Sequence, residues 1–150
     1  MNREIIRVEP LSTYLERWKA PTSAVTRSGD TIYVSGLPPF DPDTGAVVHA
    51  PIERQTELVL EQMKLCLETA GSSLENVLKC HVYCTSVERF AEVNAIYARY
   101  FPKDRPPVSL FAFRHGRDIS TSRSTASRRS RCGVGAGSKR FRLPAAAAPA

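Results

Sequence analysis

The sequence has little that would serve a metal site, a disulfide framework or a membrane span. It holds 4 cysteines in 150 residues, with no Cys-x-x-Cys pair and no histidine at a ligand-like spacing, so we predict no metal site. Cys80 and Cys84 lie on one predicted strand, roughly 13 Å apart, which is too far for a disulfide. No stretch approaches the roughly 20 apolar residues that a transmembrane helix needs, so we expect no membrane partner.

Acidic residues are scarce in one part of the chain only. Residues 1–110 carry 12 Lys+Arg and 14 Asp+Glu, whereas residues 111–150 carry 9 and 1, so the net charge of +6 comes entirely from the second part. That part is rich in Ser, Gly and Arg and lacks a sustained apolar period. Such a composition does not offset the entropy of ordering. We therefore predict a folded domain over residues 1–110 and a basic, low-complexity, disordered tail over residues 111–150.

Charge also bears on location and partners. The first ten residues, MNREIIRVEP, carry charges where a secretory signal has an apolar run, so we expect a cytoplasmic protein. The basic tail suits counterion release on nucleic acid, but its aromatics show no stacking pattern. We therefore expect no nucleic-acid partner.

A helix followed by a strand organises the domain. Apolar residues recur on one side of a 3.6-residue helix that begins near Gln55, at Val59, Met63, Cys66, Leu67 and Ala70. Gly71 then favours a helix C-terminus. From Val77 the period becomes two, which predicts a strand with one apolar face formed by Leu78, Cys80, Val82 and Cys84. His81 lies on its mixed face, where we interpret it as a structural or interface residue rather than an acid or base, because no carboxylate can be assigned to it.

Two further patterns complete the fold. Val25–Arg27 and Thr31–Ser35 flank a Ser-Gly-Asp turn and predict a β-hairpin. After the strand, Thr85 and Glu88 have the spacing of a capping box, and an amphipathic helix then runs to Pro102. The element order predicts an α+β two-layer sandwich, a mixed sheet with two helices on one face. Residues 107–113 are the one visible candidate for a later strand, so the last strands are predicted to be altered or missing.

Five short segments form a distinctive series along the chain. They are Val34-Ser35-Gly36-Leu37-Pro38-Pro39, Asp41-Pro42-Asp43-Thr44-Gly45, Gln55-Thr56, Ala70-Gly71-Ser72-Ser73-Leu74-Glu75-Asn76-Val77 and Val93-Asn94-Ala95-Ile96-Tyr97. In order and spacing, these segments resemble the RidA (YjgF-type) family over about residues 25–107. The resemblance implies a chorismate-mutase-like fold and a homotrimer with clefts between subunits. It also implies hydrolysis of 2-imino and enamino acids to 2-oxo acids and ammonia without a cofactor.

The resemblance assigns substrate-binding positions but no catalytic residue. Ser35, Gly36 and Asn94 match family positions near the cleft, although a strand end and an exposed helix polar residue are ordinary alternatives. The family's Arg after the second helix and its Glu on the last strand are absent, since Arg105 comes too early and no Glu follows Glu92. The family's phenol before the first strand is also absent, because that region reads Pro21-Thr22-Ser23.

The genetic code suggests a reason for these absences. Codons can be chosen for Pro106 through Arg128 so that a reading frame that starts at the third base of each codon encodes ARIFVCVPAWPGHFDIEIDCVA. This alternative translation resembles the family's last two strands. We hypothesise that residues from about 107 onward are a frameshifted tail, and gene codons that forbid this reading would exclude it. The sequence thus predicts an impaired RidA-like imine deaminase. The alternative is a non-catalytic oligomeric protein of the same fold that binds small metabolites or partners.

Overall fold

A computed structural model describes residues 3–112 and 132–135 of the chain. Both helices and strands occur in these ranges, and together they confirm the predicted α+β class. They run in the order β1 (Arg3–Ile6), α1 (Leu11–Arg17), β2 (Val25–Ser28), β3 (Thr31–Val34), α2 (Ile52–Thr69), β4 (Cys80–Cys84), α3 (Phe90–Tyr100), β5 (Val108–Ala112) and β6 (Cys132–Gly135).

The first sheet is antiparallel, with the strand order β1-β2-β3. The predicted hairpin is confirmed, because β2 and β3 pair with Val25 opposite Val34 and Ser28 opposite Thr31. Gly29 begins the two-residue turn with φ +57°, a conformation that costs glycine little. Strand β1, which the sequence analysis did not predict, pairs with the outer side of β2.

The second sheet is mixed, with the order β5-β4-β6. Helix α3 carries the chain from β4 to β5, and these two strands pair in parallel, as such a crossover allows. Strand β6 pairs antiparallel with the other side of β4. The sequence candidate for a later strand, residues 107–113, is therefore confirmed as β5.

Helices α2 and α3 pack on each other and cover one side of the sheets. The predicted apolar face of α2 is buried, as shown by Val59, Met63, Cys66, Leu67 and Ala70. Gly71 has φ +78°, and its N–H bonds to the Glu68 carbonyl while that of Ser72 bonds to the Leu67 carbonyl. This double closure is a Schellman motif and ends α2 where the sequence predicted.

Two local predictions were wrong. Leu78 is exposed rather than part of the apolar strand face, because β4 begins only at Cys80. The capping box also does not start α3, since a 3-10 turn at Val87–Arg89 intervenes and the helix begins at Phe90 without a side-chain cap bond.

The interpretation of residues 111–150 as a disordered tail lies mostly outside the described residues. Within that range, residues 111 and 112 end β5, and Cys132–Gly135 form β6. No described helix combines the length and the apolarity that a bilayer crossing requires.

Candidate functional site

The first sheet has two chemically different faces. Val25 and Val34 point toward the helices and are buried. Because side chains alternate along a strand, Ile5, Thr26 and Tyr33, which are register partners across β1, β2 and β3, lie together on the opposite face. We call this the outer face of the first sheet.

An open pocket of about 570 Å³ lies on this outer face. Its walls come from the three strands and from the segment that precedes β2, and hydroxyl groups predominate among them. The lining residues are Arg3, Ile5, Pro21, Thr22, Ser23, Thr26, Tyr33, Val34 and Ser35. Among these described residues, Arg3 alone carries a charged side chain.

Ser35 is held in place at the end of β3. Its N–H bonds to the Ala24 carbonyl at 2.9 Å, and its hydroxyl donates to the Ser23 carbonyl at 2.7 Å. The Thr22 hydroxyl lies 3.3 Å from the Ser35 oxygen. Since the Ser35 hydrogen is used on Ser23, the Ser35 oxygen presents its lone pairs to Thr22 or to a bound molecule.

The three predicted site residues are not all in this pocket. Ser35 lines it, and Gly36 is exposed at the next position. Asn94 lies on an exposed position of α3 and is not among the lining residues. Within one chain, the structure therefore brings together Ser35 and Gly36 only.

Arg3 and Tyr33 line the pocket but were missed by sequence reasoning. Arg3 was missed because β1 is a short strand of mostly exposed residues without a clear apolar alternation. Tyr33 had a usable signal, since it lies two residues before Ser35 and must share its face of the strand. The phenol that the resemblance expects before the first strand is absent, whereas Tyr33 places a phenol in the pocket wall from β3.

A cluster of polar and aromatic side chains lies on the second sheet, on the side opposite the buried residues Cys80, Val82 and Cys84. We call this side the outer face of the second sheet. The rings of Tyr83 and Phe111 stack with centroids 5.4 Å apart, and His81 lies 5.7 Å from Phe111. The Nδ1 atom of His81 is buried without a hydrogen-bond partner among the described residues. His81 thus packs against two aromatic rings, an arrangement that fits the interpretation of this histidine as a structural or interface residue.

The three cysteines whose side chains are described do not form a reactive site. Cys66, Cys80 and Cys84 are buried free thiols, and burial raises the pKa of the Cys66 thiol to about 12. Burial likewise raises the pKa of Cys80. Thiols kept protonated in this way are poor nucleophiles and poor metal ligands. Within residues 3–112 and 132–135, no group of three His, Cys, Asp or Glu residues is placed to hold a metal ion.

The structure is that of a small α+β protein with a hydroxyl-lined pocket on the outer face of its first sheet. The sequence model of the family described as Endoribonuclease L-PSP matches residues 17–113, which is more than half of the chain. The chain belongs to this family, which includes the RutC and RidA proteins.

Individual relatives agree with this assignment. A RutC family protein of Pyrococcus abyssi is 41% identical over 86 residues, which are 57% of this chain and 68% of the relative. The crystal structure of a candidate endoribonuclease of Thermotoga maritima is 34% identical, with a TM-score of 0.67 over 83% of this chain and 89% of that one. A Rid family protein of Yersinia pestis is 25% identical, with a TM-score of 0.72 over 91% and 99% of the two chains.

Proposed function

We propose that this protein is a hydrolytic deaminase of reactive 2-imino and enamino acids, which it converts to 2-oxo acids and ammonia. The observation that carries the proposal is the position of Ser35. This residue matches the strand-end serine of the RidA resemblance, and its hydroxyl lies in the wall of a pocket of about 570 Å³. That volume suits a small metabolite.

The pocket chemistry fits the reaction. The oxygen of a water molecule adds to the C=N carbon, the C–N bond then breaks, and ammonia leaves with a carbonyl in its place. An acceptor that orients the water supports the first step. The Ser35 oxygen is such an acceptor, because its own hydrogen is held by the Ser23 carbonyl at 2.7 Å.

We further propose that the activity is low compared with relatives that keep the family's Arg and Glu. The described lining contains no carboxylate and no imidazole that would take a proton from water. General acid-base catalysis typically contributes about a hundredfold or more, so this step relies on solvent as the base.

A homotrimer is part of the proposal. Ile5 on the outer face of the first sheet is 57% exposed, and Tyr83 and Phe111 on that of the second sheet are 39% and 43% exposed. Large apolar side chains that share the uncovered side of a sheet are typical of subunit contacts. Closing the sheets around a three-fold axis would cover them and would place a second subunit beside the pocket, with cytoplasmic metabolites as ligands.

The test is a semicarbazide-trapping assay with an imine generated in situ. We expect the full chain to accelerate imine loss above buffer, and Ser35→Ala to lower that acceleration about tenfold, as loss of one oriented hydrogen bond of about 1.4 kcal/mol implies. Ser72→Ala, in the turn after α2, is the matched control and should leave the rate unchanged. Light scattering on the same preparation should give the mass of a trimer.

The alternative is a non-catalytic protein that binds small metabolites in the same pocket. The absence of an acid or base among the described lining residues favours it. Imine loss at the buffer rate, together with binding of a 2-oxo acid, would establish this alternative and exclude the enzyme. Cleavage of RNA, to which the family's description refers, is not supported by this pocket, because its described walls offer one cation and no general base.

A further inference from the structure

Arg3 differs from the other arginines of the described chain. The guanidinium groups of the other seven described arginines each have a protein partner. Five form ion pairs with glutamates: Arg7 with Glu9 and Glu16, Arg27 with Glu4, Arg54 and Arg99 with Glu57, and Arg89 with Glu92. Arg17, Arg27 and Arg105 donate hydrogen bonds to the backbone carbonyls of Thr44, Ala70 and Phe101, respectively. The side chain of Arg3 makes no hydrogen bond or ion pair with another described residue. An unpaired guanidinium at a pocket rim is available to a ligand.

The surroundings of Arg3 favour an anion. It lies on β1 opposite Ser28, and its side chain shares the outer face with Ile5 and Thr26 because strand residues two apart face the same way. The nearest acidic neighbour in sequence, Glu4, points to the other face, where it lies 3.9 Å from Arg27. No carboxylate is among the described lining residues, so nothing there competes with an anionic ligand.

The hydroxyl groups complete an anion site. Tyr33 and Thr26 are register partners on the same face as Arg3, and both line the pocket. Neither side chain makes a hydrogen bond to another described residue. A guanidinium binds a carboxylate through two parallel N–H donors, and neutral hydroxyls can donate to the remaining lone pairs.

We propose that Arg3 binds the carboxylate of a small 2-oxo or 2-imino acid in the outer-face pocket, with Tyr33 and Thr26 as additional donors. The ligand class rests on the proposed function, whereas the anion site rests on the geometry alone. The Arg that the resemblance expects after helix α3 is absent from this sequence. Arg3 on β1 supplies a guanidinium in its place. It is a specificity residue within one chain, and Ser35 lies in the same pocket to face the imine carbon.

The test uses the full chain and 2-oxobutanoate, a stable 2-oxo acid, with binding measured by calorimetry. Arg3→Gln should raise the Kd about tenfold, because the lost contact is charge-assisted but open to solvent. Arg3→Lys should give an intermediate Kd, since it keeps the charge without the planar fork. Arg89→Gln, which breaks an exposed ion pair on α3, is the matched control and should leave the Kd unchanged.

A second ligand isolates the charge. The methyl ester of 2-oxobutanoate lacks the carboxylate, so the wild-type chain and Arg3→Gln should bind it equally weakly. Binding of the acid should also weaken as salt is raised in the wild type but not in Arg3→Gln. Circular dichroism and thermal melting should show that the variants fold alike, since Arg3 is exposed.

The outcomes separate this proposal from the proposed function. If Arg3→Gln binds 2-oxobutanoate as tightly as the wild type, or if the wild type does not bind it, the anion site is overturned. If the acid binds through Arg3 but imine loss stays at the buffer rate, the site stands and the enzyme activity fails. If imine is hydrolysed with a KM that Arg3→Gln does not change, the activity stands and the role of Arg3 is overturned.

Discussion

The two sheets of this protein are assembled in different ways. In the first sheet, β2 and β3 are joined by a two-residue turn, so their pairing is set by neighbouring residues. In the second sheet, β4 pairs with β5 only after the chain has passed through α3, and with β6 only after a further segment of the tail. Local pairing needs little loop closure, whereas distant pairing must be stabilised by packing. The β2-β3 hairpin is therefore the most predictable pairing in the two sheets.

The outer faces of the sheets also differ. The first presents hydroxyls, one guanidinium and a pocket, and the second presents the stacked rings of His81, Tyr83 and Phe111. A polar concave face suits a small ligand, while a flat aromatic face suits another protein surface. Under our proposals, the ligand would bind on the first sheet, whereas subunit contacts would involve the aromatic face of the second sheet together with Ile5 of the first.

Removal of β6 should have the largest effect, because it leaves one side of β4 unpaired. A chain that ends after Ala112 should lose on the order of 3 kcal/mol of unfolding free energy, since several backbone hydrogen bonds of about 1 kcal/mol each are lost. A chain that ends after Gly135 keeps β6 and is the matched control. Urea denaturation of both chains checks this prediction.

The same two truncations test whether the tail stabilises the domain through β6, as the structure indicates, or contributes nothing to stability, as its composition predicts. If the chain that ends after Ala112 is as stable as the full chain, β6 contributes nothing and residues 113–150 are dispensable, as the composition of the tail predicts. In that case the second sheet would consist of β4 and β5 alone.

A smaller effect should follow from a substitution at Gly45, which lies against Tyr14 of helix α1. Gly45 has φ +71°, and a Cβ added there would overlap the ring of Tyr14. That ring is fixed by its hydroxyl, which donates to the Pro42 carbonyl at 2.6 Å. Gly45→Ala should therefore cost about 2 kcal/mol of unfolding free energy, from both backbone strain and overpacking.

Gly29→Ala is the comparison variant for Gly45. Gly29 also has a positive φ, but a Cβ there would meet no atom within 4 Å. We expect a loss of about 1 kcal/mol from backbone strain alone, with the hairpin intact. Equal losses at the two glycines, measured by urea denaturation, would contradict the overlap with Tyr14.

The smallest predicted effect concerns alkaline pH and the buried thiols. Strands β1, β2 and β3 contain no cysteine, whereas β4 carries Cys80 and Cys84, and α2 carries Cys66. Burial raises the pKa of Cys66 from 9.0 to about 12, so above pH 9 the unfolded chain releases a proton that the folded chain retains. This stability is fully present below pH 9 and is lost as the pH rises toward 12.

The expected slope is about 1.4 kcal/mol per pH unit for each such thiol. Cys66→Ala should flatten the fall in unfolding free energy between pH 9 and pH 10 relative to the wild type, and should leave the pH dependence below pH 8 unchanged. An identical alkaline slope in both proteins would show that Cys66 ionises as readily in the folded state as in the unfolded one.

Sequence reasoning predicted the elements whose signals are local. The apolar period of α2, the glycine at position 71 and the turn at Gly29 each act within a few residues, and each is confirmed. It missed β1, because Arg3–Ile6 is a four-residue strand with exposed positions that pairs only through the hairpin. Leu78 was wrongly predicted to lie on the apolar face of β4, because the alternation of apolar and polar residues does not show at which residue strand pairing begins.

The candidate site was predicted only in part for the same reason. Ser35 carries a family signature at the end of a predictable strand, so it was found. Arg3 joins it through the pairing of β1 with β2, which the sequence did not predict. Asn94 matches a motif but lies on α3, outside the pocket of the single chain.

By itself, the sequence determined the α+β class, the hairpin, the two main helices and the family, because periodicity, glycine and turn chemistry act over short distances. The tertiary structure alone decided that Arg3, Tyr33 and Ser35 share one pocket and that β6 flanks β4. These placements depend on strand pairing between distant segments, which is fixed by packing of the whole domain rather than by any local preference.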